Sequence, residues 1–287
     1  MSEAGVIHDI GYQRYEGGRL GRGAVVGALY VHGIRAAFGL GRSAKSKIFP
    51  WMVAGIALLI AVINAGVKAQ ANITLFTYYQ FDDTMAILIV FFVAIIAPEL
   101  VSRDLRSGVL PLYFSRPVRA ADYVVAKVAA LISAVWLLLG VPQLIMFLGA
   151  AFTTKTGMKG VWHEAGNLLP GWAYSVLWAV VFAIIGLLVA SVTGKRAFAA
   201  GGIVAVFAVT TPVVGVLSTL PGDTVRNMAG LASPETLVSG VATWLRHNAQ
   251  AGIDVGRFGP IYGVEAFCLV AAGLLLLLAR YRKVASL

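Results

Sequence analysis

The sequence predicts an all-α membrane protein: six transmembrane helices, an N-terminal interfacial helix, a short cytoplasmic helix between the second and third spans, and a long outer loop before the last span. Three observations carry this. The chain of 287 residues is 59% hydrophobic and only 13% charged, with a mean hydropathy of +0.83, well outside the balance of water-soluble domains. Six apolar runs are each long enough for a bilayer core, which takes about 20 helical residues. Third, the Lys and Arg side chains are distributed unevenly between alternate connections.

Residues 1–24 are rich in Gly and Arg without a clear period, and read as a flexible cytoplasmic tail. Over residues 25–47, the positions Leu29, Tyr30, Ile34, Ala37 and Phe38 repeat at helical spacing while His32, Arg35 and Arg42 fall elsewhere. That pattern suits an amphipathic helix lying in the interface. Its alternative is a cytosolic extension of the first span.

Residues 48–287 then form the six-helix domain, with spans at Ile48 to Val67, Met85 to Val101, Tyr123 to Phe152, Trp172 to Val192, Phe198 to Leu217 and Ile261 to Ala279. The polar Gly and Arg segment before Ile48 does not have the form of a cleavable signal peptide, so the first span is expected to persist. Pro142 in the third span removes an amide donor and predicts a kink. Ala197, Gly201 and Ala205 give the fifth span a small-residue face that permits close helix approach in lipid. In the outer loop, Ser233 is placed as a helix N-cap and Pro234 as the first helical residue. Leu237, Val241 and Trp244 follow on one face, predicting a short amphipathic helix at the outer surface.

Of the 23 Lys and Arg residues, 17 fall on the side of the N-terminal segment and 6 on the other. By the positive-inside rule both termini are cytoplasmic, in a multi-pass protein of the cell membrane. The net charge of +10 is therefore a topology signal and an attraction to anionic membrane lipid, and no nucleic-acid partner is implied.

Several chemistries are missing from the sequence. No phosphate-binding loop is present, and the nearest string, "VTGKRAF", has Arg196 where a hydroxyl should follow the Lys. There is no HExxH or GxSxG, and no Asp/His cluster suited to a metal. Cys268 stands alone, so no disulfide framework is available. The four histidines are scattered through polar segments. No catalytic residue, metal or cofactor is assigned to this chain. Two acids lie at or near span ends, Glu99 and Glu265, and intramembrane acids are costly enough to raise a functional hypothesis. For Glu99 a pairing with Arg103, one turn on, is the structural reading; for Glu265 it is a boundary position.

The stretch "SRDLRSGVLPLYFSRPVRAADYVVAK", Ser102 to Lys127, carries five cations: Arg103, Arg106, Arg116, Arg119 and Lys127. Leu105, Val109, Leu112 and Tyr113 form an apolar stripe, so a short amphipathic helix is predicted from Arg103 to about Tyr113 before Pro117 turns the chain into the third span.

This segment resembles the connection between the second and third spans of type 2 ABC exporter permeases. The resemblance rests on Asp104, Ser107, Gly108, Val109, Leu110, Pro117, Val118, Arg119 and Lys127, and extends to the six spans, the interfacial helix and the outer loop. Val109, Pro111 and Ala126 depart from the family pattern. The resemblance implies that Arg103, Asp104, Arg106, Ser107, Gly108, Val109, Leu110, Pro117 and Arg119 belong to a coupling helix docking on a separate ABC ATPase subunit. That partner would bind the ATP and Mg²⁺ that this chain has no motif for, and the permease would pair with a second copy or a paralogue. Spans two and five would flank the pathway, making Phe91, Phe92, Phe207 and Thr211 lining candidates for a hydrophobic or amphipathic cargo. Two other functions fit the same composition: an ion-coupled secondary transporter using Glu99 and Glu265, and a membrane scaffold or sensor.

Overall fold

The computed structural model describes residues 21–108, 118–154, 157–246 and 254–285. All regular elements among these residues are helical. They are α1 (Arg22–Ala37), α2 (Ala44–Ala71), α3 (Tyr78–Leu100), α4 (Ser102–Arg106), α5 (Ala120–Thr153), α6 (Met158–Val192), α7 (Arg196–Thr219), α8 (Asp223–Met228), α9 (Pro234–Arg246) and α10 (Gly259–Ala285). Six of them, α2, α3, α5, α6, α7 and α10, are long and apolar enough to cross a membrane.

Each span extends beyond the apolar run that signals it, and at three of the ends a local feature sets the boundary. The start of α3 is set by Thr77 and Gln80: the Thr77 hydroxyl accepts from Gln80 N–H at 3.4 Å and Gln80 Oε1 accepts from Thr77 N–H at 3.0 Å, a reciprocal capping box. α2 stops at Asn72, which adopts the left-handed conformation (φ 55°) that Asn tolerates better than most residues. α5 opens with the Asp122 carboxylate accepting from Arg119 N–H at 3.0 Å. It runs as one helix through Pro142. α1 ends at Ala37, and residues 38–43 turn the chain into α2 at Ala44, so the segment read as one interfacial helix over residues 25–47 is divided by that turn.

The core is the trio α3, α5 and α6, the most buried of the spans, while α2, α7 and α10 pack around it and leave most of their surface exposed. α2 lies on α5, α7 on α3 and α10 on α6. Within the bundle, Trp178 and Phe182 of α6 and Phe207 of α7 form a ring ladder with centroids 4.6 and 4.5 Å apart. α1 packs along the first half of α5, with Leu29 buried against Val118 and Ala126 and the Tyr30 hydroxyl 2.9 Å from Ser133 Oγ.

Helices attract each other weakly in lipid unless their backbones approach closely, and Gly186 permits such an approach. A β-carbon there would lie 2.3 Å from Val93 Cγ1 of α3. The small-residue face predicted on the fifth span does not play this part. Ala197, Gly201 and Ala205 are all exposed, and nothing in the chain lies within 4 Å of a β-carbon at Gly201.

α9 begins at Pro234, as the sequence indicates, and buries Leu237 and Val241 with Trp244 against Tyr262 and Ala266 of α10. It goes further inward than a surface helix. Val238 and Ala242 join the main core, so α9 is inserted among α6, α7 and α10.

Replacing Gly186 by Leu is expected to destabilise the purified chain by about 1–3 kcal/mol through overpacking, read as a lower midpoint of thermal unfolding in detergent. Gly201→Leu, at an open position, should leave the midpoint unchanged.

Candidate functional site

The polar groups of the bundle gather at its two ends. The basic end carries α1, α4 and the last turns of α10; the far end carries α8 and α9.

At the basic end, α4 continues from α3 after a break at Val101 (φ −126°, ψ −53°). Its inward side is bonded to two spans, α6 and α5. Ser102, fully buried, donates to Ala190 O of α6 at 2.7 Å. Asp104 Oδ2 accepts from Lys127 Nζ at 2.8 Å and from the Tyr123 hydroxyl at 2.8 Å, both on α5. The Lys127 side chain is only 5% exposed, so Asp104 supplies the counter-charge that a buried ammonium needs. Leu105 packs on the core, and the Tyr281 ring of α10 lies tilted against that of Tyr123, centroids 5.0 Å apart. Close by, Arg280 holds the end of α6 by donating to Ser191 O and, at 3.2 Å, to Val192 O.

Glu99, in the last turn of α3, pairs with Arg103 at 3.1 Å. It also pairs with Arg42, which precedes α2, and with Arg196 at 2.7 Å, the first residue of α7. One carboxylate thus joins the α1–α2 turn, α3, α4 and α7. A fourth tie comes from Arg22 of α1, which donates to both oxygens of Asp122 at 2.6 and 2.5 Å. This bidentate pairing fixes orientation as well as distance, and the hydrogen bond raises the Arg22 guanidinium above its ordinary pKa.

The outward side of α4 is different. Arg106, Ser107 and Gly108 are exposed, and Arg106 has no carboxylate within ion-pair distance among the described residues. Gly108 has φ +64°, a left-handed geometry that favours glycine. Arg119, ahead of α5, is also exposed. Val109, Leu110 and Pro117 lie outside the described residues, as do Leu112 and Tyr113 of the predicted stripe.

The structure therefore separates the predicted coupling residues by role. Asp104 faces inward and holds α4 to α5, Arg103 is engaged by Glu99, and Arg106 and Arg119 face outward.

The predicted pathway residues divide as well. Phe92 is fully buried beside Phe38 and Phe207 is stacked on Phe182, so both lie inside this chain's own packing. Phe91 and Thr211 are exposed. Glu265 is half-buried on α10, without a hydrogen bond or ion pair among the described residues.

At the far end stand two acids that sequence reasoning missed, Asp82 and Asp83. Asp82 is completely buried. Its oxygens accept from Gln143 Nε2 of α5 at 2.7 Å and from Ser175 Oγ of α6 at 2.6 Å. Asp83 accepts from the Tyr174 hydroxyl of α6 at 2.5 Å and from Ser239 of α9 at 3.3 Å. Both precede the second span read from the sequence, because its apolar run starts at Met85. The Thr77/Gln80 capping pair, which puts the helix start at Tyr78, was the signal that would have found them.

The described residues hold two polar clusters, one of which mechanically joins an exposed basic turn to the three core spans. A family model described as "ABC-2 family transporter protein" matches residues 25–247. The chain belongs to the ABC-2 transporter family. No curated protein matches it. Within an ABC-2 membrane subunit, the cluster around α4 lies in the matched region, as do Asp82, Asp83 and the α9 insertion.

Truncating Asp104 to Ala in this ABC-2 subunit leaves Lys127 buried and unpaired. A loss of about 3–5 kcal/mol is expected, and pairing Asp104→Leu with Lys127→Met should recover most of it in a detergent unfolding assay. At the far end, Asp82→Leu removes two buried hydrogen bonds, leaving the Gln143 amide on Tyr78 O and the Ser175 hydroxyl on Gly171 O. It should cost about 1–3 kcal/mol, with Asp82→Asn milder because it keeps an acceptor.

Proposed function

We propose that this ABC-2 subunit is the permease half of an ATP-driven exporter, pairing with a second permease copy or paralogue and with separate ATPase subunits that bind ATP and Mg²⁺. The observation that supports it best is the two-sided bonding of α4. A turn clamped inward by Ser102, Asp104 and Glu99, and presenting Arg106 outward, suits a lever between a soluble partner and the spans. A basic loop that served only to fix topology would need none of those inward bonds.

In this reading the basic end is cytoplasmic. ATP binding draws the ATPases together, and the displacement enters through Arg106, Arg119 and the residues between them. Because α4 is bonded to α3, α5 and α6, the three core spans move as a body, and a cavity between the two permeases opens or closes. The exposed face of α7 at Ala197, Gly201 and Ala205 suits close approach by a second permease. The exposed Phe91 and Thr211, on α3 and α7, suit a hydrophobic or amphipathic cargo. Glu99 is shared among three guanidinium groups, which suits a structural junction better than a titrating ion carrier.

Affinity purification in mild detergent tests this. A stoichiometric ATPase should be recovered with the wild-type chain and lost with Arg106→Glu plus Arg119→Glu, while the variant keeps its unfolding midpoint. Clean isolation of the wild-type chain alone, without nucleotide-dependent activity, would sink the reading.

A further inference from the structure

At the basic end, an open groove of about 770 Å³ lies between α2, α3 and α7. Arg42, Lys45 and Arg196 line it with Glu99 as their one acidic neighbour. Each guanidinium has five N–H donors, and the three arginines Arg42, Arg103 and Arg196 share the one carboxylate of Glu99. Most of the donors in the cluster are therefore left over, and Lys45 makes no hydrogen bond or ion pair among the described residues. The positive charge exceeds what Glu99 can neutralise.

The other part of the groove is apolar, with Phe49, Pro50 and Ile95 in its wall. Ile95 opens an exposed stripe that continues along α3 through Phe91 and Ile87, successive residues of one helix face. A small soluble anion would satisfy the arginines and leave the stripe unused. A neutral lipid would do the reverse. A molecule with an anionic head and an alkyl chain satisfies both.

We propose that this groove binds the phosphate-bearing headgroup of an anionic amphiphile, admitted sideways from the membrane leaflet at the basic end, with its chain laid along Ile95, Phe91 and Ile87. The inference deepens the permease reading and rests on it for what the bound molecule is for. Binding itself requires no ATPase, so the two can fail separately.

The test titrates the purified full chain in dodecyl maltoside with phosphatidylglycerol carrying a fluorescent acyl chain. Dioleoyl-phosphatidylglycerol should displace the probe, dioleoyl-phosphatidylcholine should do so far less well, and glycerol 3-phosphate should not displace it. Arg196→Gln and Lys45→Gln should each weaken binding about fivefold, the effect of one cation at a membrane surface. Ile95→Asp should weaken it as well. Arg282→Gln removes the same charge at the same end outside the groove and should change nothing. Lys45→Gln carries the charge test if Arg196→Gln lowers the unfolding midpoint. Equal displacement by the choline lipid, or equal weakening by Arg282→Gln, overturns the site in favour of diffuse surface attraction. Selective binding without a recovered ATPase would keep the groove and remove the permease reading; a recovered ATPase without selective binding would do the opposite.

Discussion

Asp82 is the carboxylate around which the core spans are set. Helices in a bilayer gain little by burying apolar surface against each other, since lipid is equally apolar, so close packing and polar bonds decide their arrangement. A fully buried carboxylate is costly unless its oxygens are satisfied, and here the donors come from Gln143 and Ser175 on two other spans. That requirement fixes the rotation of α3 about its axis. With 3.6 residues per turn, Ile89 and Val93 share the Asp82 face and are buried, while Ile87, Phe91 and Ile95 fall about 180° away and are exposed. The open stripe on α3 is thus a consequence of where its acid must point.

The two ends of the bundle meet the same problem with different chemistry. At the far end, neutral donors satisfy Asp82 and Asp83, and the bonds run between core spans and α9. At the basic end the bonds are ion pairs, and they run between core spans and elements outside them: α1 through Arg22 and Asp122, α4 through Asp104 and Lys127, α7 through Arg196 and Glu99. Moving α4 alone would uncover the Lys127 ammonium or leave it unpaired, a cost of several kcal/mol. Moving it together with α3, α5 and α6 keeps the Arg103–Glu99, Asp104–Lys127 and Ser102–Ala190 contacts. The energetically easier displacement is therefore the collective one.

How far the sequence was legible follows from the range of each interaction. The spans, the start of α9 at Pro234 and its Leu237 and Val241 face are local patterns, readable from hydropathy and capping chemistry. The Glu99–Arg103 pair is also local, one helical turn apart. Arg42 and Arg196 are distant in sequence from Glu99, so no spacing rule reveals them. Asp82 was hidden by an apolar run that begins at Met85, seven residues after the helix start at Tyr78 that Thr77 and Gln80 spelled. The small-residue pattern on α7 was real, but a pattern does not say against what it packs. Gly186, an isolated glycine in an apolar helix, carried no pattern and makes the close contact with α3.

Glu99 then holds an electrostatic imbalance that the fold does not remove. Three guanidinium groups meet one carboxylate, so the junction carries surplus positive charge, and its arginines repel one another at short range. Water screens part of this, since Arg103 and Arg196 are about half exposed while Glu99 is only 10% exposed. The same junction joins α4 to α7 and forms the polar wall of the groove between α2, α3 and α7. An anion in the proposed site would lower the repulsion among the three guanidinium groups. In the proposed reading, occupancy of the groove and stiffness of the α4 lever would then be coupled through Glu99, without any contact between the groove's occupant and Arg106.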